Sequence, residues 1–152
     1  MIIIVSLISL LLDMGSKYLV SRMLTLYESK IIINNFLNIT YVRNTGAAWS
    51  ILDNNTWIVT VISLLIIMGI IYYVYRNRDR ISKRIVKIGY GLALGGAIGN
   101  FIDRIINGYV VDFIDIDIFG FNYPIFNLAD MFIVGGAILL MVDAWRCRND
   151  RD

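Results

Sequence analysis

Two aspartates, Asp112 and Asp130, stand where a carboxylate needs a reason. The run Val110–Phe119 alternates with period two. As a strand it puts Asp112 on the face of Ile114, Ile116 and Ile118, and Asp115 and Asp117 on the opposite, solvated face. Asp130 follows Asn127 by three residues and leads directly into Met131–Val142, a run without a charge. Two carboxylates brought within about 4–6 Å in a partly dry site do not both ionise easily, so they tend to share one proton. The ionised partner can take a proton from a water attacking a carbonyl, while the protonated partner donates to the carbonyl oxygen. On spacing alone three uses stay open: a hydrolytic dyad, an ion or proton site, and structural hydrogen bonding.

Other polar residues cluster in the same way. Gly99-Asn100-x2-Asp103-Arg104 gathers an amide, a carboxylate and a guanidinium near one helix face, able either to hold an extended backbone or phosphate or to tie off a helix end. Gly91, Gly95 and Gly99 recur every four residues, a groove into which a neighbouring helix can pack. Asp13 and Lys17 are four apart, so they share a face and can pair, as an internal ion pair or as part of a site.

Composition removes several chemistries. The chain has no histidine, which excludes a Ser-His-Asp triad, a Cys-His pair, an HExxH zinc site and a histidine proton relay. The single cysteine, Cys147, cannot form an internal disulfide and lies in a charged tail, as expected of a bystander thiol. A net charge of +2 does not suggest a nucleic-acid partner, and no metal-ligand set or cofactor motif is present. Carboxylates, hydroxyls, amides, Lys and Arg remain.

These residues must be positioned by a membrane protein. Of the 152 residues, 58% are hydrophobic and 17% charged, against roughly 45–50% and about 25% in soluble domains, and mean hydropathy is +0.68. Thr56–Tyr75 runs twenty residues without a charge, the length a helix needs to cross a bilayer core. Four spans are expected at about 2–20, 56–75, 87–106 and 125–145. The first lacks a basic n-region and a small-x-small cleavage site, so it is expected to be retained. Arg76, Arg78, Arg80, Lys83, Arg84 and Lys87 between spans two and three, and Arg146, Arg148 and Arg151 after span four, carry most of the 14 Lys and Arg. The positive-inside rule then puts both termini in the cytoplasm and the two other loops outside. Those loops carry alternating runs, Asn38–Arg43 and Val110–Phe119, expected as a small extracytoplasmic β-structured region. Trp49 and Trp57 fall at the outer boundary, as interfacial anchors do. With no repeat or linker, 1–152 reads as one four-helix membrane domain.

Tyr41-Val42-Arg43-Asn44-Thr45-Gly46-Ala47-Ala48, then Gly99-Asn100-x2-Asp103-Arg104, Val111-Asp112-Phe113 and Phe126-Asn127-x-Ala129-Asp130, in this order across four spans, resemble lipoprotein signal peptidase, the type II signal peptidase of bacteria. The resemblance covers essentially the whole chain. It implies an aspartic endopeptidase of the bacterial inner membrane, with its site near the extracytoplasmic face. Such an enzyme removes signal peptides from prolipoproteins, cutting before a cysteine that carries diacylglycerol. It also implies Asp112 and Asp130 as the catalytic pair, and Asn44, Gly99, Asn100, Asp103, Arg104, Asn127 and Ala129 as residues that line or support the substrate site. Asp13 and Lys17 match the first-span motif, although Met14 and Ser16 stand where a glutamine and a threonine are usual. Membrane lipid, and cyclic peptide inhibitors of the globomycin type, are implied as further ligands. Two rival classes keep buried aspartates as well: an ion-coupled transporter, which would hold them at the midplane within inverted repeats, and a non-catalytic assembly subunit.

Overall fold

The computed structural model describes residues 1–46, 55–118 and 121–149. Four long helices, α1 (Ile2–Met23), α2 (Thr56–Arg76), α3 (Arg84–Asn107) and α4 (Leu128–Asn149), are each long and apolar enough to cross a membrane. Four antiparallel strands, β1 (Ser29–Ile33), β2 (Leu37–Asn44), β3 (Val110–Ile118) and the two-residue β4 (Phe121–Asn122), lie side by side in that order. The sheet sits at the bundle end where α1 and α3 finish and α2 and α4 begin. At the other end, Lys83 bonds Asp143 at 2.8 Å and ties the start of α3 to α4.

The helices are polar inside and apolar outside. On α1 the buried residues are Ser6, Ser9, Asp13 and Lys17, a single face by their spacing, while Ile3, Leu7 and Leu11 are more than half exposed. In water this pattern would not fold. In lipid the exposed aliphatics are solvated and the polar face must find partners inside the bundle.

Helix α3 is the hub, packed against α1, α2 and α4. Gly91, Gly95 and Gly99 make the expected groove, and α1 occupies it: a Cβ on Gly91 would meet Val5 Cβ at 2.6 Å, and one on Gly99 would fall onto the Asp13 carboxylate. A second row, not singled out in the sequence, faces α4. There Gly96 packs under the Ala129 carbonyl, and Gly136 of α4 answers Gly89. Gly108 ends α3 in the left-handed conformation (φ 75°), its N–H bonded to Arg104 O at 3.1 Å, and turns the chain into β3.

The fourth span begins three residues later than expected. Residues 125–127 are extended because Phe126 pairs with Ile114: Ile114 N–H donates to Phe126 O at 2.7 Å and Phe126 N–H to Ile114 O at 3.1 Å. That bridge pins the start of α4 to β3. The expectation for β3 also needs correction, since Val110, Val111, Asp112 and Phe113 are all buried, so its first half has no solvated face. Val111 and Phe113 join Leu24 and Tyr41 in the core beneath the sheet. Asp115 is half-buried and accepts from Thr40 Oγ1 at 2.7 Å, and Asp117 is likewise half-buried.

Candidate active site

Asp112 and Asp130 line one cavity of about 990 Å³, open along α4. The site is assembled where β3, the start of α4 and the end of α3 converge. Asn127 is the N-cap of α4, and its Oδ1 accepts the Asp130 N–H at 3.0 Å. Asp130 Oδ2 returns the bond to the Asn127 N–H at 3.3 Å, a reciprocal capping box that fixes the carboxylate on its helix. The register Val42↔Asp112 and Asn44↔Val110 brings Asn44 beside the other aspartate.

Every oxygen of the pair is held by an N–H donor. Asp112 Oδ1 accepts from Asn127 Nδ2 at 2.6 Å and Oδ2 from Asn44 Nδ2 at 2.8 Å. Asp130 Oδ1 accepts from Asn100 Nδ2 at 2.8 Å. Asp112 is only 3% exposed, and burial is the main force pushing its carboxyl up to about 7. The Asp130 charge acts in the same direction, while the Asn44 and Asn127 bonds and Lys17 oppose it. Asp130 occupies the first turn of α4, at the end of the helix whose N–H groups lack partners within it.

Asn44, Asn100, Arg104 and Asn127 line the same cavity. Arg104 reaches from α3 to Gly46 O at 3.0 Å and so anchors the chain leaving β2. Of the expected segment Tyr41–Ala48, residues up to Gly46 are described, whereas Ala47, Ala48 and Trp49 lie outside the described residues. Trp57, on the first turn of α2, is 67% exposed.

The remaining candidates stand behind the cavity wall. Asp13 and Lys17 pair at 2.7 Å, and Lys17 Nζ also meets Asp103 Oδ2 at 3.0 Å. Asp13 Oδ1 accepts the Ala129 N–H at 2.9 Å, so α1 caps a free amide in the first turn of α4. Ala129 is fully buried, and Gly99 provides the space Asp13 occupies. Asp103 accepts from the Val111 N–H at 3.4 Å, which ties α3 to the strand carrying Asp112. Cys147, on the last turns of α4, lies 2.9 Å from Lys83 Nζ, far along the chain from the pair.

Sequence reasoning missed two contributors. Ile133, Val134 and Ile138 form an apolar wall of the cavity, hidden in the sequence because every span is apolar. The Phe126 backbone bridge has no side-chain signal. Arg43, within the segment quoted from the sequence, lies over the Tyr109 ring at 4.6 Å with its Nε bonded to Tyr41 at 3.0 Å, at the cavity rim.

Comparison with known proteins gives a consistent picture. A family model described as signal peptidase (SPase) II matches residues 5–146. A lipoprotein signal peptidase of Geobacillus thermodenitrificans is 46% identical over 131 residues, covering 86% of this chain and 81% of that protein. One of Anoxybacillus flavithermus is 41% identical over 142 residues, 93% of this chain and 83% of its own length. A solved bacterial membrane enzyme superposes with a TM-score of 0.90 at 34% identity, covering 99% of this chain and 91% of that one. A second does so at 0.83 and 36% identity, covering 94% and 91%.

Proposed function

The chain belongs to the signal peptidase II family, and from that premise we propose that it is an aspartic endopeptidase cutting bacterial prolipoproteins just before a diacylglyceryl-modified cysteine. The observation that carries this reading is the pair Asp112 and Asp130 on one cavity, one buried on a strand and the other in the first turn of a helix. Asp130 is the base in this account: it takes a proton from the attacking water. Asp112 is the acid, donating to the scissile carbonyl oxygen as the tetrahedral intermediate forms; on collapse Asp130 passes the water's proton to the leaving nitrogen and Asp112 recovers a proton from the intermediate's hydroxyl. Asn44, Asn100 and Asn127 keep both carboxylates aimed, and Arg104 holds the segment beside the cleft.

The apolar wall of Ile133, Val134 and Ile138 accounts for the lipid, since acyl chains can lie along α4 while the scissile peptide reaches the aspartates. The carboxylates lie at one end of the bundle, where a surface protease needs them and a midplane transporter does not. The basic α2–α3 connection marks the opposite end as cytoplasmic, so the cleft faces outward from the bacterial inner membrane. Cyclic peptides of the globomycin type would compete for the same cleft.

The test is to incubate the purified protein in bilayers with one precursor in its diacylglyceryl-modified and unmodified forms and to weigh the products. Cleavage before the cysteine, at least tenfold faster on the modified form, is the expected result. Equal rates, or a cut elsewhere, would contradict the reading.

A further inference from the structure

Lys17 lies outside the cavity, yet it is connected to Asp130 through Asn100 and to Asp112 through Asn100 and Asn127. Lys17 is 3% exposed, and its ammonium meets three acceptors: Asp13 Oδ2 at 2.7 Å, Asp103 Oδ2 at 3.0 Å and Asn100 Oδ1 at 2.8 Å. Two carboxylates would suffice to neutralise it. The third contact is to an amide whose other end, Nδ2, donates to Asp130 at 2.8 Å.

An asparagine amide can be turned by half a rotation at almost no cost in shape, which exchanges its oxygen and nitrogen. Lys17 makes the two orientations unequal because an ammonium can only donate. With Oδ1 toward Lys17, both ends of Asn100 are satisfied. Turned over, its NH2 would face an ammonium and its oxygen would face the Asp130 carboxylate, two repulsive contacts in a buried site. The same Oδ1 also accepts from Asn127 Nδ2 at 3.2 Å, the nitrogen that donates to Asp112 at 2.6 Å. One fixed oxygen thus orients two amides, each delivering an N–H to a different aspartate.

We propose that Lys17 is a positioning residue: by holding the Asn100 carbonyl from behind the cavity, it directs one amide donor at each member of the Asp112–Asp130 pair. The proposal rests on the proteolytic reading of that pair and assigns Lys17 no contact with substrate. Neutralising the Asp13 and Asp103 charges is a separate role, and the experiment must distinguish the two.

The measurement is kcat and KM for cleavage of a diacylglyceryl-modified precursor, with thermal unfolding recorded for every variant. Lys17→Met is expected to lower kcat by roughly 10- to 100-fold with KM within about twofold, because aim is lost and binding is not. Asp13→Asn/Lys17→Met removes one charge of each sign and keeps the acceptor for the Ala129 N–H, so it serves where the single variant does not fold; the same loss of kcat is expected. Adding Asn100→Ala to either Lys17 variant should cost little more, since both act at one step. Asn100→Asp leaves Lys17 an acceptor but removes the donor to Asp130, and is expected to fold and to lose kcat to a similar degree. The proposal is overturned by a folded Lys17 variant with kcat near wild type, by losses that multiply with Asn100→Ala, or by an Asn100→Asp variant that retains its turnover. If the wild-type chain fails to cut the precursor, the proteolytic reading fails instead, and the control shows it before any variant is compared.

Discussion

Asn127 donates to Asp112 Oδ1 at 2.6 Å from the same side chain whose Oδ1 caps α4 at the Asp130 N–H. The residue that starts the helix bearing one aspartate therefore grips the other. Two roles can be separated by substitution. Asn127→Ala should cost about 1 kcal/mol through the lost cap and lower kcat by about 100-fold through the lost grip. Asn127→Ser keeps a capping oxygen and should recover most of the stability but little of the turnover. Thermal unfolding beside single-turnover cleavage rates checks both halves.

The pH dependence follows from Asp112. Its carboxyl is raised from 3.8 to about 7, so the folded protein holds this proton where the unfolded chain releases it. The contribution of this group to stability is thus greatest at low pH and declines as pH rises between those two values. In the proposed mechanism its service as the acid is lost above about pH 7, which gives cleavage an alkaline limb there. The Asn44 bond opposes the shift, so Asn44→Ala should move that limb to higher pH. A limb that stays in place or moves lower would remove Asp112 from the acid role.

Glycines on α3 and α2 should respond oppositely to one methyl group. At Gly99 the new Cβ falls onto the Asp13 carboxylate, which must give up its place against Lys17 and the Ala129 N–H, a cost of about 1–3 kcal/mol. Gly69, in the middle of α2, has nothing within 4 Å, and Gly69→Ala should stabilise by about 0.5–1 kcal/mol. Unfolding of the two variants in the same detergent decides this, and equal effects would contradict the packing described for α1 and α3.

Lipid recognition can be probed at the apolar wall. Ile138→Ala removes buried contact for an acyl chain, so KM for a diacylglyceryl-modified precursor should rise about five- to tenfold, with kcat nearly unchanged. A fall in kcat alone would place Ile138 outside the lipid path.

Much of the architecture was legible because lipid imposes simple rules. A charge-free run such as Thr56–Tyr75 has few alternatives to a spanning helix, and the spacing of Asp13 and Lys17 put them on one face before any coordinates. The glycine groove was legible for the row that faces α1. The row facing α4, Gly89 and Gly96, was not, because two interleaved faces on one helix blur any single period. The burial of both faces of Val110–Phe113 was also hidden: alternation reports one apolar face, and only the docking of β3 against helices on one side and the Leu24–Tyr41 core on the other covers both. Convergence of Asp112 with Asp130 depends on a backbone bridge at Phe126 that no side chain announces. Motif spacing could nominate the aspartates; the amides that connect them required the fold.

The central claim is that Asp112 and Asp130 act together as the catalytic pair, and the most direct test is the cleavage rate of a diacylglyceryl-modified precursor by Asp112→Asn and Asp130→Asn in bilayers. Either substitution should lower the rate by at least about 1,000-fold, since each removes an indispensable proton acceptor or donor, while the protein still inserts and unfolds near the wild-type temperature. Cleavage within tenfold of wild type by either folded variant would contradict the account.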